Sequence, residues 1–187
     1  MQAYSLAEIQ EALAHNHRFV AEDFAAIAGA QFYAHPPQVW SPAENLAHLC
    51  KTVRAATLAF RVPARLSGLI WGSAESSRSY AELVTSYKAV LDGGVVSPAA
   101  YVAELDGVLQ DEAAAKQDLL QRWQQAAGKL EAALANWHDE DLDKAKVPHP
   151  VLGKLTLREL LFFTLYHNLH HVNDVRRLLG QPEVEVL

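Results

Sequence analysis

Two histidines in the C-terminal part of the chain, His167 and His171, have the spacing of a metal-binding pair. Residues four apart on an α-helix lie about 40° apart around the helix axis and about 6 Å apart along it. At that separation two imidazoles can bind one metal ion, as the paired histidines of helical zinc sites do. Metal binding is therefore the first chemistry that the sequence indicates.

The helical phase of this segment places the pair on a buried face. Both histidines fall within an apolar stripe, whereas His170 falls outside it. The stripe is formed by Leu157, Leu160, Leu161, Thr164, Val175 and Leu178. Imidazoles that point into a core need polar partners, because burying them unpaired is costly. Two interpretations stay open on this evidence: a metal site, or core histidines held by hydrogen bonds from neighbouring helices.

A metal site would need a third ligand, and His48 on an earlier predicted helix is the candidate. His48 lies off the main apolar stripe of its helix. It shares a face with Ala55 and Ala59, whose small side chains allow a neighbouring helix to approach closely. We expect the other histidines, which fall on polar faces or in predicted loops, at the surface: His15, His17, His35, His138 and His149.

Four polar residues near these histidines are candidates for orienting them through hydrogen bonds: Glu44, Asn168, His170 and Asp174. Glu44 lies one turn before His48, although its position also suits a helix cap. His170 could replace His171 as a ligand, since it too lies one turn from His167. The helical phase of His170 argues against that exchange.

The elements that must position these residues are helices, because four capping-box patterns mark helix starts. We predict helices over residues 5–29, 41–60, 79–91, 156–179 and about 110–137, the last after a break near Gly107 in a helical stretch that opens at Ser97. No segment alternates with period two, so no strand is predicted. The segments 61–78 and 139–153 carry prolines and glycines and are predicted as irregular loops.

Helices of this length with apolar stripes pack as a bundle. The sequence thus predicts an all-α fold, a four-helix bundle with additional short helices and a long connection at 61–78. Residues 1–187 suit a single domain with a sizeable core, since half of the residues are hydrophobic and no charged linker divides the chain.

Composition and charge limit the expected partners and the expected compartment. The chain has no apolar run long enough to span a membrane, and its N-terminus lacks the pattern of a secretory signal. One cysteine, Cys50, fits a reducing compartment, and we expect it to be a small core residue. The net charge of −6 argues against nucleic acid and anionic membranes as partners. We expect a cytoplasmic protein; a homodimer is compatible with these features.

Two motifs resemble those of a known family. Trp40 followed by Glu44-Asn45-Leu46-Ala47-His48-Leu49 resembles the first histidine motif of the DinB/YfiT-like metal-dependent enzymes. His149-Pro150-x-x-Gly153-x-Leu155-Thr156-x-x-Glu159, leading into His167-x-x-His170-His171, resembles their C-terminal signature. The resemblance covers nearly the whole chain. It implies a four-helix bundle with a metal between the helices, and its three-histidine pattern corresponds to His48, His167 and His171.

The resemblance implies one divalent transition-metal ion as a cofactor. Nickel and zinc are the first candidates, and iron and manganese also accept imidazole ligands. Three imidazoles leave open coordination positions, at which water or substrate can bind.

Proteins related to this family include thiol transferases and a thiol-dependent isomerase, and others are presumed hydrolases. We therefore expect a thiol-dependent S-transferase that acts on a small electrophile, with a low-molecular-weight cellular thiol as cosubstrate. The sequence has no evident general base such as the glutamate of a His-Glu-x-x-His motif, which disfavours hydrolysis. A metal-dependent hydrolase and a non-catalytic metal-binding module are the alternatives.

Overall fold

The computed structural model of the chain describes residues 4–102, 105 and 111–185. Within this part the helices are α1 (Leu6–Ala26), α2 (Gly29–Phe32), α3 (Pro42–Ala59), α4 (Ala64–Trp71), α5 (Tyr80–Asp92), α6 (Glu112–Leu134) and α7 (Leu157–Leu178). Single 3-10 turns span Ala99–Tyr101 and Asp139–Asp141. Two short strands, β1 (Lys146–His149) and β2 (Gly153–Thr156), pair as an antiparallel hairpin. The prediction of an all-α fold is confirmed.

Helices α1, α3, α6 and α7 form a four-helix bundle. Both α1 and α3 pack against α6 and α7, and α5 covers a further side of α7. The core between them is filled by large apolar side chains, of which the bulkiest fully buried ones are Phe24, Phe32, Trp123 and Phe162. Burying a side chain of this kind stabilises the fold by about 1.5–3 kcal/mol.

Side-chain caps begin the long helices where the sequence predicted them. At α1, α3, α5 and α7 a serine or threonine hydroxyl accepts the backbone N–H of a glutamate three residues later, whose carboxylate accepts the cap's own N–H. The predicted ranges 41–60, 79–91 and 156–179 accordingly differ from α3, α5 and α7 by one residue at each end. The range 5–29 was too long, because α1 ends at Ala26 and Gly29 begins α2.

Two segments predicted as irregular loops contain regular structure, and the prediction of no strand was wrong. The range 61–78 includes α4, and the range 139–153 includes a 3-10 turn and β1. Strands of four residues are too short for period-two alternation to be recognised. Gly153 opens β2 with a φ of 75°, which glycine adopts without steric cost. The predicted break near Gly107 lies outside the described residues.

Helix α7 is the central element of the bundle. Every side chain from Leu157 to Leu169 is buried, so the single apolar stripe predicted for this helix was too narrow. Burial on all sides follows from its contacts with α1, α3, α5 and β2. Even so, no helix in the described part of the chain is long and apolar enough to cross a membrane.

Charged groups at the start of α7 connect it to the segments around it. Arg158 is buried and donates through Nε and Nη2 to the two carboxylate oxygens of Asp143, at 2.8 and 2.9 Å. Glu159 is also buried, and its Oε1 accepts hydrogen bonds from the backbone N–H and Nε of Arg78, at 2.8 and 2.9 Å. These bonds tie the first turn of α7 to the segment before α5 and to the segment before β1.

The pKa of Glu159 reflects these bonds. Burial by itself raises the pKa of the carboxyl group, but the hydrogen bonds from Arg78 and from the backbone of Thr156 outweigh burial and lower it. A carboxyl whose pKa is lower in the folded state stabilises the fold above its unfolded pKa of about 4.3. That stabilisation is lost as the pH falls through the folded pKa.

We therefore predict that Glu159→Gln lowers the free energy of unfolding by about 1.5–3 kcal/mol at pH 7, the value of hydrogen bonds to a charged group. The deficit should persist at pH 5 and be smaller at pH 3, because the stabilisation is lost as the pH falls from the unfolded pKa of about 4.3 towards the lower folded pKa. Urea unfolding at the three pH values measures it. Glu22→Gln, on an exposed face of α1, is the control and should change stability by less than about 0.5 kcal/mol. A deficit for Glu159→Gln that does not vary with pH would contradict the prediction.

Candidate metal centre

Three histidine side chains meet between α3 and α7. Nε2 of His167 lies 3.2 Å from Nε2 of His48 and 3.2 Å from Nε2 of His171. One ring nitrogen from each residue lies within 4.8 Å of the other two, and the residues are only 3%, 4% and 8% exposed for His48, His167 and His171. In the part of the chain that the structure describes, this is the one group of three such side chains that could hold a metal ion.

Hydrogen bonds on the far side of two rings determine which nitrogen faces the cluster. Nδ1 of His48 donates to the carbonyl oxygen of Tyr101 at 2.8 Å, and Nδ1 of His171 donates to Oδ1 of Asn45 at 2.7 Å. Because carbonyl and amide oxygens only accept, Nδ1 carries the hydrogen in both neutral rings. Each ring therefore presents the lone pair of its Nε2 to Nε2 of His167.

This arrangement suits a cation better than it suits hydrogen bonding. Nε2 of His167 carries at most one hydrogen, so it can donate to only one of the two lone pairs that face it. A divalent ion would accept all three. Three nitrogens bound to a tetrahedral zinc at about 2.0–2.1 Å lie about 3.3 Å apart, close to the 3.2 Å observed here.

Burial keeps the three imidazoles neutral. Loss of hydration lowers the pKa of His167 and of His171 well below the ordinary histidine value, and the neighbouring imidazoles lower both further. Burial also lowers the pKa of His48, against the opposing effect of its hydrogen bond to the Tyr101 carbonyl. Neutral imidazole is the form that binds metal, so protons compete weakly for this cluster at neutral pH.

Asn45 orients His171, and sequence reasoning did not identify it as a supporting residue. Nδ2 of Asn45 donates to the carbonyl oxygens of Trp40 and Ser41, at 3.3 and 3.0 Å, which turns Oδ1 towards His171. Asn45 lies three residues before His48, and residues three apart share a helix face. That spacing was the signal that could have found it.

Two of the four predicted supporting residues lie away from the cluster. Glu44 accepts the backbone N–H and the hydroxyl hydrogen of Ser41 in the cap of α3, and its carboxylate also lies 4.0 Å from Nε2 of His35. Asn168 donates to Oδ1 of Asn16 on α1 at 2.8 Å. Neither residue hydrogen-bonds to a histidine of the cluster.

The other two, His170 and Asp174, lie beside the cluster. Oδ2 of Asp174 is 3.4 Å from Nε2 of His170 and 3.7 Å from Nδ1 of His171. Asp174 also forms an ion pair with Arg177. The half-buried ring of His170 is not part of the group of three, in agreement with its helical phase.

Two of the histidines expected at the surface are not there. His17 is buried, with Nδ1 2.7 Å from a carboxylate oxygen of Glu131, because α1 packs this face against α6. His149 belongs to β1 and is half-buried in a pocket wall. The remaining three, His15, His35 and His138, are exposed as predicted.

Cys50 is a buried core residue, as expected. Burial raises the pKa of its thiol to about 12, so the sulfur is protonated at neutral pH. A protonated thiol is neither a nucleophile nor a metal ligand.

A pocket of about 950 Å³ opens onto the three histidines. Its walls are mostly apolar, and aromatic rings cover the cluster on two sides. Trp40 stacks on His171 with ring centres 6.0 Å apart, and Phe163 stacks on His167 with ring centres 4.8 Å apart. The volume is at the upper end of the range for small-molecule sites in proteins.

The fold and the site together define a helical bundle with a buried three-histidine group that could hold a divalent metal ion. The family model of the DinB superfamily matches residues 13–175, which include all three histidines, and the chain belongs to this superfamily. Comparisons with curated proteins and with solved structures find no match. Family membership and the histidine cluster both fit a metal-binding protein.

We predict that protein purified without chelator holds about one divalent transition-metal ion per chain, because three imidazoles make one site. Elemental analysis measures the ratio. The single variants His48→Ala, His167→Ala and His171→Ala should each lose most of the metal affinity, while His170→Ala keeps it. If His170→Ala is the damaging change, the assignment of ligands on α7 is wrong.

Asn45→Ala removes the acceptor that orients His171, and we predict a loss of metal affinity of about 10–100-fold. Titration against a competing chelator measures this loss. Asn168→Ala is the matched control, since it truncates a buried asparagine that bonds to Asn16 instead of the cluster. The control should lower the melting temperature without weakening the metal. Equal affinity losses in the two variants would refute a specific role for Asn45.

Proposed function

We propose that the chain is a metal-dependent enzyme that joins a low-molecular-weight cellular thiol to a small electrophile. In this proposal His48, His167 and His171 are the metal ligands. The observation that carries the proposal is the convergence of three imidazole Nε2 atoms, two of them with fixed lone pairs, on a pocket with apolar walls. Membership of the DinB superfamily supports it.

A divalent ion with open coordination positions lowers the pKa of a bound thiol, and it would supply a sulfur nucleophile near neutral pH. The residues around the cluster hold the ligand rings in position. Asn45 and the Tyr101 carbonyl hold two ligand rings in the tautomer that binds metal. Trp40 and Phe163 stack on ligand rings and keep their planes in place.

The pocket walls favour transfer over hydrolysis. Apolar side chains bind water poorly, so they reduce the competition of water with sulfur as the nucleophile. Among the described residues, Asp174 is the one carboxylate in the pocket wall. Its ion pair with Arg177 leaves its carboxylate less available to activate water. The reaction breaks the thiol S–H bond and forms a bond between the sulfur and an electrophilic carbon. With an unsaturated electrophile the π bond breaks and the proton ends on the product; with a halide the carbon–halogen bond breaks, and halide and proton leave together.

A metal-dependent hydrolase is the second candidate, and the pair of His170 and Asp174 favours it. The imidazole and the carboxylate lie 3.4 Å apart at the pocket wall. Burial lowers the pKa of His170, although the charge of Asp174 opposes this, so the ring is neutral and able to accept a proton from water at neutral pH. The third candidate is a binding module, which would bind metal at the same cluster and catalyse neither reaction.

We place the activity in the cytoplasm, where small thiols stay reduced. Its partners in this proposal are small molecules, with neither nucleic acid nor membrane involved. A homodimer is compatible with this proposal. The negative net charge and the single cysteine support this assignment.

The test is a panel of cellular thiols with the chromogenic electrophile 1-chloro-2,4-dinitrobenzene, assayed with metal and after chelation. We expect at least one thiol to react faster than in buffer, and only with metal present. His48→Ala and His167→Ala should lose most of this turnover, while His15→Ala, on the exposed face of α1, keeps it.

Turnover that persists after chelation, or is unchanged in both cluster variants, would rule out this mechanism. Cleavage of simple esters or amides without any thiol activity would favour the hydrolase. Metal binding without either reaction would favour the binding module.

A further inference from the structure

The side chain of His149 is held in one tautomer by the hairpin that carries it. Its Nδ1 accepts hydrogen bonds from the backbone N–H groups of Val151 and Leu152, at 3.3 and 3.1 Å. Both partners are donors, so Nδ1 must present its lone pair. In the neutral ring the hydrogen therefore resides on Nε2.

The same two bonds oppose protonation of the ring. A hydrogen on Nδ1 would point at two backbone N–H groups that have no lone pair to offer. Burial acts in the same direction and lowers the pKa of His149 to about 4. At neutral pH the residue is thus a neutral donor through Nε2.

His149 lies in the wall of the pocket that contains the three-histidine cluster. Its ring centre is 4.3 Å from that of Phe163, which in turn stacks on His167. Nε2 makes no hydrogen bond to the described residues, and it is not among the unpaired polar atoms sealed from solvent. The donor is therefore open to solvent, and the residue that carries it lines the pocket beside the cluster.

We propose that Nε2–H of His149 binds the carbonyl oxygen of an otherwise apolar substrate. The apolar walls would receive the hydrocarbon part, and a fixed neutral donor selects an acceptor oxygen. The inference rests on the proposed function in one respect, that this pocket receives the substrate.

This substrate class is compatible with the proposed reaction when the carbonyl is α,β-unsaturated. Addition of a thiol then forms the S–C bond at the β-carbon and shifts the π electron pair towards the carbonyl oxygen. The thiol's proton ends on the α-carbon, so atoms and electrons balance. A donor at the oxygen stabilises the charge that develops there.

The test compares 2-acetylnaphthalene with 2-isopropenylnaphthalene, in which a CH₂ group replaces the carbonyl oxygen. Binding of each to the full chain is followed by fluorescence, with and without metal. His149→Asn is the informative variant, because its Oδ1 can accept the hydrogen bonds of the turn while the donor at Nε2 is lost. Thr52→Val removes a hydroxyl elsewhere in the pocket wall and is the control.

The wild type should bind the ketone more tightly than the hydrocarbon. His149→Asn should lower that preference about fivefold, as expected for one neutral hydrogen bond, while Thr52→Val leaves it unchanged. His149→Gln, whose amide nitrogen reaches about as far as Nε2, should retain it. The preference is a ratio within each variant, so a general change in pocket shape cancels.

A wild type without preference for the ketone, or a preference unchanged in His149→Asn, would overturn the proposal. Because the assay needs no thiol turnover and is repeated without metal, it gives its answer even if the proposed reaction fails. Conversely, if His149 binds no carbonyl group, the thiol-transfer proposal is still tested by the thiol panel alone.

Discussion

The structure around the cluster depends on one constraint: three buried imidazoles must stay neutral and turn their Nε2 atoms to one point. Each ring loses its hydration on burial, and that loss is tolerable only if its polar atoms find partners. Asn45 and the Tyr101 carbonyl satisfy the outer nitrogens of two rings, which leaves the inner nitrogens without hydrogens to share. The inner face therefore presents lone pairs that a divalent cation could accept.

The same constraint applies to the whole of α7, which carries two of the histidines and is buried along most of its length. A helix surrounded by other elements can carry polar side chains inwards only where each finds a partner. At its start, Arg158 and Glu159 are paired with Asp143 and Arg78 from the neighbouring segments. Two to three turns later, the histidines face α3. The charged groups at the N-terminus therefore help to set the position of α7, on which the distance between His48 and the pair on α7 depends.

Much of the fold and part of the site could be predicted from the sequence, and the exceptions have two physical causes. Local signals such as capping boxes and a four-residue histidine spacing located the long helices and the pair on α7. His48 lies off the apolar stripe of its helix, and the family resemblance, more than its phase, pointed to it. The hydrogen bond between Asn45 and His171 and the burial of His17 and His149 depend on tertiary packing, which the local sequence does not encode. The hairpin was missed because its strands are four residues long.

We expect three imidazoles and no sulfur to bind one divalent ion. X-ray absorption spectroscopy on zinc-loaded protein identifies the ligand atoms. The zinc should show a first shell of nitrogen and oxygen at about 2.0–2.1 Å, with outer-shell scattering from about three imidazole rings. In His170→Ala, which should keep the metal, the imidazole contribution should be unchanged. A sulfur shell at about 2.3 Å, or a shell of oxygens without imidazole scattering, would contradict a three-histidine metal site.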